Sequence, residues 1–124
     1  MYTFRIGLHL LAATVWVGGQ IVLAGLVPSL RTLGPDAPKK VAQRFNQLAW
    51  PAYGLLLMTG VWNLMLVPDI RHPLFEIKFL MFVVSGAGAA LHIAARGRTA
   101  MLAIGGALAT IGAVAALFLG VALG

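Results

Sequence analysis

Apolar runs of twenty-odd residues alternate with short polar segments along the whole chain. Each run is long enough to form a helix that crosses a bilayer, which takes ~20 residues. The pattern predicts helices at about 3–27, 41–67, 73–95 and 99–123, making one four-helix domain over residues 1–124. Pro28 is expected to end the first helix, and 29–40, with Gly34, Pro35 and Pro38, reads as a loop. Pro51 predicts a kink in the second helix, and Pro68 ends it. Pro73 suits the first turn of the third. The short turn Arg96-Gly97-Arg98 makes helices three and four antiparallel neighbours. The fold class expected is therefore all-α: an integral membrane four-helix bundle, antiparallel and up-down.

Composition agrees with this class. Hydrophobic residues make up 60% of the chain and charged residues 10%, with a mean hydropathy of +0.94; soluble domains carry about 25% charged residues. The apolar run from Phe4 to Val27 is longer than a signal-peptide core, so a retained transmembrane helix is expected. Without cysteine there are no disulfides, iron–sulfur clusters or thiolate metal sites. The net charge of +6 would suggest nucleic acid in a soluble protein. Here the basic residues gather in the short connections, where topology and anionic lipid account for them and no nucleic acid is needed.

Those connections also predict orientation. Arg31, Lys39, Lys40, Arg44, Arg96 and Arg98 fall on one side; Arg5 and Arg71, with Lys78 slightly inside helix three, fall on the other. The positive-inside rule puts the first set in the cytoplasm and both termini outside, at a bacterial inner (plasma) membrane.

Ionisable residues inside such helices mark candidate sites. On an uninterrupted α-helix His9, Trp16 and Gln20 (i, i+7, i+11) share one face, the latter two within about 20° of His9. His9, Asn63, Met65, His72, Glu76 and Lys78 fall at one outer level, with Trp16 and Trp62 as apolar walls and Asp69 in the adjoining connection. His92 follows Lys78 on one helical face but ~21 Å further in, where Trp50 and Tyr53 would line a second level; a proton or electron path between the levels is open. Each residue also has a packing role to weigh. An intramembrane His can simply bond a neighbouring helix, Lys78 can snorkel, and Asn63 with Thr59 can join helices. Trp50 and Trp62 suit an interfacial belt, and Met58 with Met65 suits packing. On helix four, Gly105, Ala109, Gly112, Ala116 and Gly120 form a small-residue ridge for close packing, a face through which copies of the chain or a larger membrane complex could assemble.

The pattern His9-x6-Trp16-x-Gly18-Gly19, with Pro28 and Arg31, resembles the first helix of CopD-type copper-resistance membrane domains. So does Arg44-Phe45-Asn46-Gln47-Leu48-Ala49 continuing to Thr59-Gly60-Val61-Trp62-Asn63, and Lys78 matches the Lys before that family's third segment. The same positions, with Pro51, are compatible with the related HemJ-type protoporphyrinogen oxidase, a four-helix membrane protein that binds heme b. The resemblance implies copper binding or transfer, with His9, His72 and Met65 as ligands. Alternatively it implies heme b, with His9 as axial ligand, Trp16 and the Gly18-Gly19 notch around the macrocycle, Lys78 toward a propionate, and His92 the further candidate. A third reading is a non-catalytic accessory subunit. Whether the chain is an enzyme stays open at this level.

Overall fold

The computed structural model describes residues 2–66, 73–95 and 97–122, which are helical apart from short turns, with no strand among them. We number four helices: α1, Tyr2–Arg31; α2, Ala37–Leu66; α3, Pro73–Ala94; and α4, Thr99–Ala122. Of these α1, α3 (over Phe75–Ala94) and α4 are long and apolar enough to cross a membrane. α2 falls short of that hydropathy: its first turns carry Lys39, Lys40, Arg44, Asn46 and Gln47, and its uncharged remainder still includes Trp50, Pro51, Tyr53, Trp62 and Asn63. The chain divides into two compact units, Met1–Leu66 and Val67–Gly124.

Two helix boundaries differ from expectation. Pro28 does not end α1, which continues to Arg31. A proline removes one N–H and so one bond to the carbonyl four residues back; this far along the helix only one turn follows it. The end is made instead by Thr32, whose hydroxyl and N–H both donate to Ser29 O (2.6 and 3.2 Å), and by Leu33 N–H on Leu30 O (3.0 Å). α2 begins at Ala37 rather than near 41. Pro38 falls in its first turn, where proline's fixed φ suits a helix and its missing donor is not needed, and Lys40 N–H already reaches Asp36 O at 3.0 Å.

α1 is also not a uniform α-helix. Thr14–Gly18 forms a π-helical turn between Tyr2–Ala13 and Gly19–Arg31. Such a turn takes in an extra residue, so the even angular spacing of His9, Trp16 and Gln20 is lost. Thr14 contributes by bonding its hydroxyl back to Leu10 O at 2.8 Å, a contact that bends helices.

In the first unit α1 and α2 pack antiparallel: His9 meets Thr59, Trp16 meets Trp50 and Tyr53, and Gly19 meets Phe45. Ala12, Ala49 and Ala52 are buried in this unit, and small side chains let helix axes approach. In the second unit α3 and α4 form a hairpin. Its turn uses Arg98 N–H on Ala95 O (2.9 Å) and Gly97 at φ 82°, a conformation that glycine adopts without steric cost. The hairpin is held backbone to backbone. A Cβ on Gly88 would come within 2.5 Å of Ala109 N, one on Gly105 within 2.6 Å of His92 N, and one on Gly112 within 2.8 Å of Met81 O. Most of the small-residue ridge of α4 is thus taken up by α3. Ser85, fully buried, donates its hydroxyl to Ala109 O at 2.6 Å across the same seam.

Candidate functional site around His9

His9 is half-buried, with Nδ1 2.7 Å from Thr59 Oγ1. The Thr59 hydroxyl lies 2.8 Å from Leu55 O and 3.2 Å from Leu56 O, the back-bonding usual for threonine in a helix. A hydroxyl has one proton. When it goes to a carbonyl, a lone pair faces His9, Nδ1–H donates to Thr59 and the lone pair of the neutral ring is on Nε2; when it goes to Nδ1, the ring proton is on Nε2. The first of these is the arrangement by which proteins fix the tautomer of a metal-ligating imidazole. Thr59 itself is only 2% exposed, so the anchor is built into the α1–α2 seam.

Deeper along α1, Trp16 is buried against Trp50 and Tyr53. The ring centroids are 5.2 Å apart for Trp16–Trp50, 4.5 Å for Trp16–Tyr53 and 5.5 Å for Trp50–Tyr53, all within the range of favourable aromatic contact. Trp50 is therefore a packing partner of Trp16. Gly19 provides no open notch: Phe45 fills it, so that a Cβ there would lie 2.5 Å from Phe45 Cε1. Gly18 has open space instead.

Two polar groups in this unit carry a buried, unpaired donor: Arg5, which sequence did not single out as a site residue, and Gln20, which it placed on the face of His9 and Trp16. Arg5, one helical turn from His9, is 6% exposed, its guanidinium 5.6 Å from the Tyr2 ring, and its Nε is buried without a hydrogen-bond partner. Gln20 has its amide Nε2 in the same condition. Sequence placed Arg5 at the outer surface as a topology charge; the i, i+4 spacing to His9, which puts both on one face, was the signal available.

The remaining candidates scatter. Met65, on α2, is 76% exposed and lies about 120° around the helix from Thr59 at ~100° per residue, so it does not join His9's face. Asn63 and Trp62 are half-buried on the same helix, while Met58 is 70% exposed. His72 and Asp69 lie outside the described residues. In the second unit Glu76 is exposed. Lys78 lies along the last turn of α4, where a Cβ on Gly120 would be 3.2 Å from its Nζ. An ammonium beside a helix C-terminus is favoured by the unpaired carbonyls and the helix dipole. His92 Nδ1 is 2.8 Å from Leu102 O, and its ring lies over Gly106. A carbonyl only accepts, so Nδ1 donates, and His92 works as a clasp between α3 and α4. Among the described residues no three His, Asp or Glu side chains gather closely enough to hold a metal ion.

Comparison with protein-family models, curated proteins and solved structures finds no match to this chain. The resemblance to CopD-type and HemJ-type proteins rests on the residues quoted above.

Proposed function

We propose that the chain is an integral membrane protein that binds a metal-containing ligand through His9, and that the ligand is heme b. The observation carrying this reading is the His9–Thr59–Leu55 chain of contacts, which orients one imidazole and, with the hydroxyl proton on Leu55 O, puts its lone pair on Nε2. Heme b needs only one protein imidazole to be held at its iron. Copper needs a set of soft or borderline ligands, and the candidate thioether of Met65 is turned away from His9's partner on α2. Arg5, buried with a donor to spare one turn from His9, suits a carboxylate such as a propionate. Phe45 in the Gly19 notch argues that a macrocycle would not lie there. Bound heme would supply one-electron chemistry; the residues of this chain would fix the imidazole, pair a carboxylate and keep lipid at the apolar walls.

In this reading α2 crosses the bilayer as well. Its length of 30 residues is ~45 Å of helix, enough for a basic first section outside the hydrocarbon and an apolar remainder within it. The basic connections then face the cytoplasm and both termini face outward.

The test is an absorption spectrum with metal analysis on one detergent-purified sample of the wild type and of His9→Ala. A Soret band with about one iron per chain, lost in His9→Ala, is the expected result. Copper near one per chain without a Soret band would replace heme by copper. Equal ligand content in the variant and the wild type would remove His9 from the site.

A further inference from the structure

The first unit contains a second feature that the His9 site does not use. Between the C-terminal half of α1 and the first turns of α2 runs an open groove of ≈ 470 Å³, lined by Gly19, Val22, Leu23, Leu26, Lys40, Val41, Arg44, Phe45 and Leu48. Phe45 against Gly19 forms part of its apolar wall. The other walls are aliphatic apart from Lys40 and Arg44, both exposed and one turn apart on α2. Arg44 Nη1 is held by Gln47 Oε1 at 2.8 Å. The groove-lining span of α2, Lys40 to Leu48, is on the order of 12 Å of helix, about two-fifths of the ~30 Å hydrocarbon thickness. Lys39 lies beside this basic end, and Asp36 is the first unit's one acidic residue. An aliphatic slot with two exposed cations along its α2 wall fits an anionic lipid.

We propose that this groove is a binding site for an anionic phospholipid, with an acyl chain between Val22–Leu26 of α1 and Val41–Leu48 of α2 and the phosphate at Lys40 and Arg44. The charge of Lys40 and Arg44 selects the headgroup, because paired basic side chains attract anionic lipid at about fivefold in affinity for each residue. The slot selects a lipid over a soluble phosphate ester, because the acyl chain supplies the apolar burial. The site is independent of whatever His9 binds.

The test is native mass spectrometry of the full chain in detergent, titrated separately with phosphatidylglycerol, phosphatidylcholine and glycerol 3-phosphate. Phosphatidylglycerol should bind the wild type at least tenfold more tightly than phosphatidylcholine. The double variant Lys40→Gln with Arg44→Gln, both on exposed positions, should lose about 30-fold toward phosphatidylglycerol. Val22→Phe, also on an exposed position, should fill the slot and weaken both lipids. Equal binding of the two phospholipids to the wild type would overturn the headgroup assignment. Binding of glycerol 3-phosphate as tight as that of phosphatidylglycerol would make this a phosphate site. Unchanged phosphatidylglycerol binding in Val22→Phe would leave only diffuse surface attraction, and the groove would not be the site.

Discussion

At the scale of single residues, Thr59 decides what His9 can do. Its hydroxyl lies within hydrogen-bond distance of both a carbonyl of its own helix and the imidazole. Replacing Thr59 with Val preserves shape and removes that oxygen, so the imidazole loses both its tautomer and its orientation. Ligand affinity in Thr59→Val should fall 10–100-fold, the usual loss when such a partner is removed, with protein stability changed by only about 0.6 kcal/mol, as for interhelical hydrogen bonds in membranes. Thr59→Ser keeps the hydroxyl and should bind nearly as the wild type does. A ligand titration of the two variants, followed by thermal unfolding, checks both halves; equal affinities would show that the tether is irrelevant. Lys78 is a different matter. Its ammonium lies beside the last turn of α4, which accounts for it without any ligand. Lys78→Met should cost about 0.3–1 kcal/mol of hairpin stability and leave ligand content at the His9 site unchanged. Loss of the ligand in that variant would return Lys78 to the site.

At the scale of elements, the two helix pairs are tight for different reasons, and glycine substitutions separate them. At Gly88 an added methyl would meet the Ala109 backbone and Leu108 Cβ, at 2.5 and 2.7 Å; the helices must separate to admit it. Gly88→Ala should cost about 1–3 kcal/mol, the range for overpacking. At Gly19 the obstacle is the edge of the Phe45 ring, which can turn away. Gly19→Ala should cost clearly less, and comparing the two melting temperatures tests the ranking. The seam in the second hairpin was legible in sequence as the spacing Gly105, Ala109 and Gly112, since only small residues repeat there. The existence and order of the helices were equally legible, because runs of apolar residues this long have few other fates. The π turn at Thr14–Gly18 was not, since Thr-Val-Trp-Val-Gly reads as ordinary apolar helix and the extra residue is absorbed in backbone hydrogen bonding. The two shifted boundaries came from weighing Pro28 as a stop and Pro38 as loop, although a proline is tolerated near either end. For the candidate site, sequence identified His9 and Trp16 as inward-facing but not the Thr59 anchor in its role. Pairing residues fifty apart needs the register between α1 and α2, and apolar helices can slide past each other without changing their pattern.

At the scale of the whole molecule, the question is how many times the chain crosses the bilayer, and the answer turns on α2. α1, α3 and α4 are each apolar enough to span. If α2 spans too, the α1–α2 connection and the α3–α4 turn emerge on the same side, and all of Arg31, Lys39, Lys40, Arg44, Arg96 and Arg98 share it. If α2 lies along the surface, the chain crosses three times and the α3–α4 turn emerges opposite, which splits the basic residues between two faces and opposes the positive-inside bias. The absence of cysteine makes the distinction clean, because a single introduced thiol has no background. Asp36→Cys reports the α1–α2 connection and Thr99→Cys the start of α4, and both positions are exposed. In sealed, right-side-out cells or vesicles, a membrane-impermeant maleimide should label neither variant until the membrane is opened, while Tyr2→Cys at the exposed start of α1 should label at once. Labelling of Thr99→Cys from outside, with Asp36→Cys protected, would establish three crossings. The His9–Thr59 pair would then lie where a surface helix meets a spanning one, rather than between two spanning helices.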